Sequence, residues 1–254
     1  MEPNLLEKKY RIHVHETGPD GKLNLYSLFD YMQDIASDQA EKLGFGRNDL
    51  LQNNHFWVLS RIYAVITELP PWEDSIVFKT WPYGTDTVFA LRNYEADYPD
   101  GRHVVSASSS WLILDSVTKK IQRPGAVLTK YNQFINPVNS TVRIASKLEP
   151  AKNEGILSTS FRVKVSDLDM NHHTNNVKYL KWACDTYTLD FALKNVPLSV
   201  EINYLAESHF DEEIIIRTSV EKQDKIFYNH SIIRTNDEKE LCRIRIEWKE
   251  TNIN

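Results

Sequence analysis

Between Val165 and Tyr179 the chain reads Val-Ser-Asp-Leu-Asp-Met-Asn-His-His-Thr-Asn-Asn-Val-Lys-Tyr. Asp169, Asn171 and His173 alternate in this stretch, so a carboxylate, an amide and an imidazole crowd one short segment with Asn175 close behind. The segment lies between a strand pattern and a helix pattern, and loops of that kind are where a rigid scaffold presents functional groups. The helix start that follows offers unpaired backbone N–H groups and a positive dipole end, which suit a developing oxyanion. Taken singly, Asp and Asn ahead of a helix are usually N-caps and turn formers. Only the combination points to chemistry.

Other constellations fail on their spacing. Asp167-x-Asp169-x-Asn171 imitates the start of a calcium loop, but His172 stands where that loop needs Gly and Lys178 where it needs Glu. His172 beside His173 is no metal motif, and His13 with His15 has no third ligand at suitable spacing, so that pair reads as a polar strand face. There is no G-x-S-x-G elbow. Gly44-Phe45-Gly46 reads as the end of a helix.

The elements that must position the loop recur twice. Sliding Tyr10-Arg11-Ile12-His13-Val14 by 151 residues gives Phe161-Arg162-Val163-Lys164-Val165, both with the alternation of a half-buried strand, and the same offset carries Asn24 onto Asn175. Leu25, Leu28, Phe29, Met32, Ile35 and Ala36 then mark one helix face, and Tyr179, Leu180, Ala183 and Tyr187 mark its counterpart. At an offset of 138, Trp72–Thr80 matches Phe210–Thr218 and Val88-Phe89 matches Ile226-Phe227. Further strands are predicted at Trp57–Thr67, Ile76–Trp81, Val88–Ala96, Val104–Leu114, Phe227–Arg234 and Cys242–Trp248, parted by turns such as Gly18–Gly21, Pro70-Pro71, Tyr98–Gly101 and Asn236-Asp237. Each half therefore reads as strand, loop, long helix and several antiparallel strands, an α+β arrangement. Gly18, Asp20 and Lys22 fall opposite Asp169, Asn171 and His173, so the first copy keeps the scaffold without the functional groups.

Composition bounds the rest. The chain has 254 residues with 41% hydrophobic and 26% charged, enough for a real core, and its 28 aromatics (6 Trp, 12 Tyr, 10 Phe) exclude a disordered chain. A formal net charge of -5 argues against nucleic acid as a partner, while Lys164, Lys178 and Lys181 could form a local basic patch or simply be solvated. Cys184 and Cys242 are too few for a disulfide framework, the first residues lack a signal-peptide core, and no run suits a membrane span; a cytoplasmic location is the expectation.

Asp169-Met170-Asn171-x-His173-x-Asn175-Asn176-x-x-Tyr179 resembles the active-site signature of plant and bacterial acyl-acyl-carrier-protein thioesterases, with His172 and Thr174 where that family usually has Gln and Val. Trp57-Val58-Leu59-Ser60-Arg61 and Ser110-Trp111 through Asp115 are similar to family segments as well, and with the repeat the resemblance covers roughly residues 5 to 250. It implies a tandem double hotdog, two antiparallel sheets each wrapping a long helix as an internal pseudo-dimer. The N-terminal hotdog would span 1–135 and bind the acyl chain, a linker would cover 136–158 and cross the back of the sheet, and a catalytic hotdog would span 159–254. The family's remaining carboxylate lies on a downstream strand, here matched by Asn203–Ser208, which makes Glu207 the candidate beside Asp169, Asn171 and His173. Ser208 stands where the plant enzymes usually carry cysteine, so water rather than a thiolate would attack the thioester. Phe29, Met32 and Trp57 could line the acyl tunnel, though core packing explains them equally well.

The implied activity is hydrolysis of fatty-acyl-acyl-carrier-protein to free fatty acid and carrier protein. The phosphopantetheine arm belongs to the substrate, so no cofactor and no metal are expected, and neither is a membrane partner. A coenzyme A thioesterase of the same fold and a non-catalytic acyl-binding module are the rivals. Because the repeat supplies its own pairing, a monomer or a homodimer is expected.

Overall fold

The computed structural model describes residues 4–251 apart from 129, 137–141, 152–156 and 223. The first half runs β1 (Leu6–Arg11), α1 (Leu25–Lys42), α2 (Arg47–Leu51), β2 (His55–Ile66), β3 (Ser75–Asp86), β4 (Phe89–Asp97), β5 (His103–Asp115), the two-residue β6 (Ile121–Gln122) and α3 (Pro124–Val127). The second runs β7 (Leu157–Arg162), α4 (Asn176–Cys184), α5 (Leu189–Lys194), β8 (Asn195–Tyr204), β9 (Glu213–Lys222), β10 (Ile226–Arg234) and β11 (Lys239–Glu250). All strand pairs are antiparallel, and the order β1-β3-β4-β5-β2-β8-β11-β10-β9-β7 is the same path read outward from a central β2–β8 seam. This is the α+β double hotdog.

The two copies agree residue by residue. An offset of 151 carries β1 onto β7 and the first residue of α1 onto the first of α4, and 138 carries the start of β3 onto the start of β9. The expected strand alternation does not reach Val14 or Val165. Each opens a short 3-10 turn instead and is 66% and 73% exposed. The cause is the same in both: an acidic side chain three residues on, Glu16 or Asp167, accepts from the backbone N–H of His13 or Lys164 and ends the strand.

The predicted face of α1 is buried at every position from Leu25 to Ala36, and it packs beside α4 over the sheet. Burial of each large side chain there stabilises by about 1.5–3 kcal/mol. The second long helix is not formed. It is nine residues against the eighteen of α1, because Thr186 turns its hydroxyl onto the Ala183 carbonyl and Thr188 caps a separate α5. Tyr187, expected on the helix face, sits in the turn between, stacked on Phe191 and hydrogen-bonded to the buried His230, whose imidazole burial pushes down to about 3.

At the seam, Arg61–Val65 pairs with Asn203–Ser199, and the register centres on Tyr63 opposite Glu201. These two residues are equivalents at the 138 offset, so the internal two-fold passes between them. Val200 and Ile202 point into the core, while Glu201 and Asn203 are buried on the other face under residues 142–151. That segment crosses the back of the sheet. Arg143 makes two 2.7 Å bonds to Glu201 and lies 3.8 Å from the Tyr63 ring centre, and Leu148 N donates to Asn203 Oδ1 at 2.8 Å. The flanking linker residues 137–141 and 152–156 lie outside the described residues.

Burial raises the Glu201 carboxyl, but Arg143 and the Ser146 N–H more than offset this and hold it below its ordinary value of 4.5. Its contribution is therefore complete above about pH 4.5 and lost as pH falls through the folded value. Arg143→Met should cost about 1–3 kcal/mol at neutral pH, less than a fully buried pair because the guanidinium is half exposed. Thermal melts of both proteins from about pH 7 to about pH 3 should show the gap in Tm closing in acid. A gap constant with pH would mean that the ion pair is not its source.

Candidate active site

The loop before α4 is templated by one carboxylate. Asp169 Oδ1 accepts from the backbone N–H groups of Asn171 (2.8 Å) and His173 (3.2 Å), and Asp169 N donates to His173 O at 2.8 Å. His172 takes the left-handed conformation at φ 63, where the first copy uses Gly21 at φ 75. The first copy closes its loop with the same backbone bond, Gly18 N to Lys22 O. Asp169 Oδ2 also holds the Asn171 amide at 3.3 Å.

A second chain segment locks onto this loop. Thr174 N donates to Ser208 O at 2.9 Å, as Leu23 N donates to Pro70 O in the first copy. Ser208 is fully buried, its hydroxyl 2.7 Å from Thr174 Oγ1 and 2.8 Å from the Tyr179 phenol. With Thr174 and Ser208 turned inward, their neighbours His173, Glu207 and His209 face outward together. His173 Nδ1 lies 3.5 Å from Glu207 Oε1, and the His209 ring meets that of His173 edge-on at 5.0 Å. Glu207 is not on a strand as expected: β8 ends at Tyr204, and Leu205 and Ala206 both turn their N–H groups to Leu241 O.

The helix start is less open than the sequence suggested. Asn175 caps α4, its side chain accepting from Val177 N at 3.0 Å and its carbonyl from Lys178 N. Among the described residues the Asn176 N–H has no partner at that end.

The first half reaches the site in two ways. Arg47, in α2, donates to Asn171 Oδ1 at 3.1 Å across 124 residues of chain, a contact no local pattern could reveal. A small cleft is lined by Phe29, Met32, Leu59, Ile62 and Trp111 of the first half and by Asn176, Val177 and Tyr204 of the second. Phe29 and Met32 thus share a cleft with Asn176 at the start of α4. Trp57 does not. Its indole donates to Phe45 O at 2.9 Å and packs on Trp111 in a separate cluster with Ala40 and Ile113.

A serine, histidine and aspartate do line up elsewhere: Ser106 Oγ to His103 Nε2 and His103 Nδ1 to Asp97, both 2.8 Å. Ser106 lies within β5, paired with Val65 on one side and Glu95 on the other. Its backbone is committed to the sheet ladder on both sides.

Residues 3–129 match the model of the acyl-ACP thioesterase N-terminal domain, and residues 150–250 match that of its C-terminal domain. The chain belongs to the acyl-ACP thioesterase family. Similar curated relatives include an acyl-[acyl-carrier-protein] hydrolase of Cuphea viscosissima, 22% identical over 96% of this chain and 61% of its own length. A palmitoyl-acyl carrier protein thioesterase of Gossypium hirsutum is 23% identical over 96% and 64%; both are named chloroplastic. The chain thus spans under two thirds of the length of these relatives. Among solved structures, an oleoyl thioesterase (putative) from Lactobacillus plantarum superimposes with a TM-score of 0.86 at 21% identity, covering 98% of this chain and 96% of that one. The 12:0-ACP thioesterase from Umbellularia californica gives 0.86 at 20%, covering 97% and 94%. These likenesses establish the double hotdog fold.

Ser208, which the resemblance matches to the family's cysteine, is enclosed and doubly hydrogen-bonded, the environment of a brace and not of a nucleophile. Ser208→Ala should lower stability by about 1–3 kcal/mol and keep thioester turnover within about ten-fold of wild type. Turnover as low as that of Glu207→Ala would place Ser208 in the chemistry.

Proposed function

We propose that the chain hydrolyses the thioester of a fatty-acyl-acyl-carrier-protein, releasing free fatty acid and the carrier thiol by direct attack of water. The observation that carries this reading is the outward His173–Glu207 pair two residues from Asn171, in a chain of this family whose halves share an apolar cleft at the start of α4. The His173–Glu207 pair takes the proton of a water whose oxygen adds to the carbonyl carbon. Asp169 and Arg47 fix the Asn171 amide from either side, so that it orients the water. The Asn176 N–H stabilises the oxyanion of the tetrahedral intermediate, and the carbon–sulfur bond then breaks with the proton returned to the sulfur. No metal or cofactor enters the scheme.

The acyl chain would lie along Phe29 and Met32, with Trp57 buttressing the wall through Trp111. Residues 1–135 would serve as the binding unit and 159–254 as the catalytic one, joined by 136–158. Carrier protein as partner is supported by the names of the plant relatives. The internal β2–β8 pairing favours a monomer, and two unpaired thiols, Cys184 and Cys242, suit the cytoplasm. No helix among the described residues is long and apolar enough to cross a membrane.

Thiol release from carrier-protein and coenzyme A substrates of matched chain length tests the reading. Wild type should prefer the carrier-protein series. Asp169→Ala, Asn171→Ala, His173→Ala and Glu207→Ala should each lose at least ~10²-fold in turnover while remaining folded. Activity confined to coenzyme A esters would move the substrate class, and a near-wild-type rate for one variant would remove that residue from the scheme.

A further inference from the structure

We infer that His173, Glu207 and His209 form a binding site for a divalent transition-metal ion of the zinc class, and that an ion seated there switches off the base pair. Their donor atoms all lie within 4.8 Å of one another. The His173–Glu207 separation of 3.5 Å is already close to the about 3.3 Å between donors that share a tetrahedral ion at 2.0–2.1 Å. The two backbones that carry them are pinned together. Thr174 N bonds to Ser208 O, and the inward hydroxyls of Thr174 and Ser208 bond each other, which leaves His173 on one segment and Glu207 and His209, two apart on the other, to converge outside. His209 N is held in turn by the Glu212 carboxylate at 3.0 Å. The first copy has Lys22, Leu69 and Pro71 at these positions on the same backbone, so the donor set is a property of the second half alone. Two imidazoles and one carboxylate select zinc-like ions over magnesium or calcium, which prefer oxygen ligands. Loss of turnover follows because the ion takes the nitrogen and oxygen that would otherwise accept the proton of water, and this part rests on the reading proposed above.

The test uses the full chain freed of metal by a chelator that is then dialysed away, with Zn2+ as the probe and Mg2+ as the control. Equilibrium dialysis should find one tightly held zinc in wild type and in His172→Ala, whose imidazole lies outside the cluster, and none in His209→Ala or His173→Ala. Co2+ in place of zinc should give the visible absorption of a low-symmetry, nitrogen-containing site in wild type only among the wild-type and His209→Ala proteins. In thioester assays zinc should suppress wild-type turnover, chelator should restore it, and His209→Ala should need at least ~10-fold more zinc for the same effect. Equal zinc binding by wild type and His209→Ala, or none by wild type, overturns the site. Zinc that binds as expected yet leaves turnover intact keeps the metal site and removes His173 and Glu207 from the base role.

Discussion

Everything functional in this molecule depends on how β2 meets β8. A hotdog unit ends in an open strand, and an unpaired edge exposes a row of N–H and C=O groups that must find a partner. Here the partner is the equivalent strand of the other copy, in a register centred on Tyr63 and Glu201. On the back of the sheet Arg143 stacks on the one and pairs with the other, so the connecting segment is fastened at the two-fold itself. On the front, the same register sets α1 beside α4, so that Phe29 and Met32 of one share a cleft with Asn176 and Val177 of the other.

Duplication with divergence explains why the two halves share a scaffold and differ in what it displays. Both halves build the loop from the same backbone bonds, the same 3-10 turn and the same left-handed residue before the same capping asparagine position. What differs is the side chains the scaffold displays. Lys22 and Leu69 in one copy become His173 and Glu207 in the other, and Asp169 gains the role of holding two loop N–H groups at once. Preorganisation of this kind costs the second copy a non-glycine residue at positive φ, His172, at a position where glycine serves the first.

Much of this is legible in the sequence, because periodicity and repetition are local signals. The offsets of 151 and 138 mark β1 with β7, β3 with β9 and both helix starts as equivalents, and the alternation of Asp169, Asn171 and His173 marks the loop, while β8 carries no pattern that predicts it. What failed was also local. The strand pattern runs on through Val14 and Val165 because an acidic side chain two residues further on, not hydrophobicity, ends those strands. The second helix is shorter than its apolar periodicity predicts because threonine hydroxyls, invisible to that periodicity, cut it at Cys184. Arg47 and His209 were missed for a different reason. Each acts through a contact across the fold, 124 residues of sequence in one case and two pinned loops in the other, and no spacing rule encodes that.

The central claim is that chemistry sits in the second half while the acyl chain enters the first, across the seam. A crystal structure of Glu207→Gln with a bound fatty-acyl pantetheine thioester tests it most directly. The account requires the carbonyl within hydrogen-bonding distance of the Asn176 N–H and near His173, with the hydrocarbon running between α1 and the seam along Phe29 and Met32. An acyl chain lodged within the second half, or a carbonyl remote from the His173 loop, would contradict it.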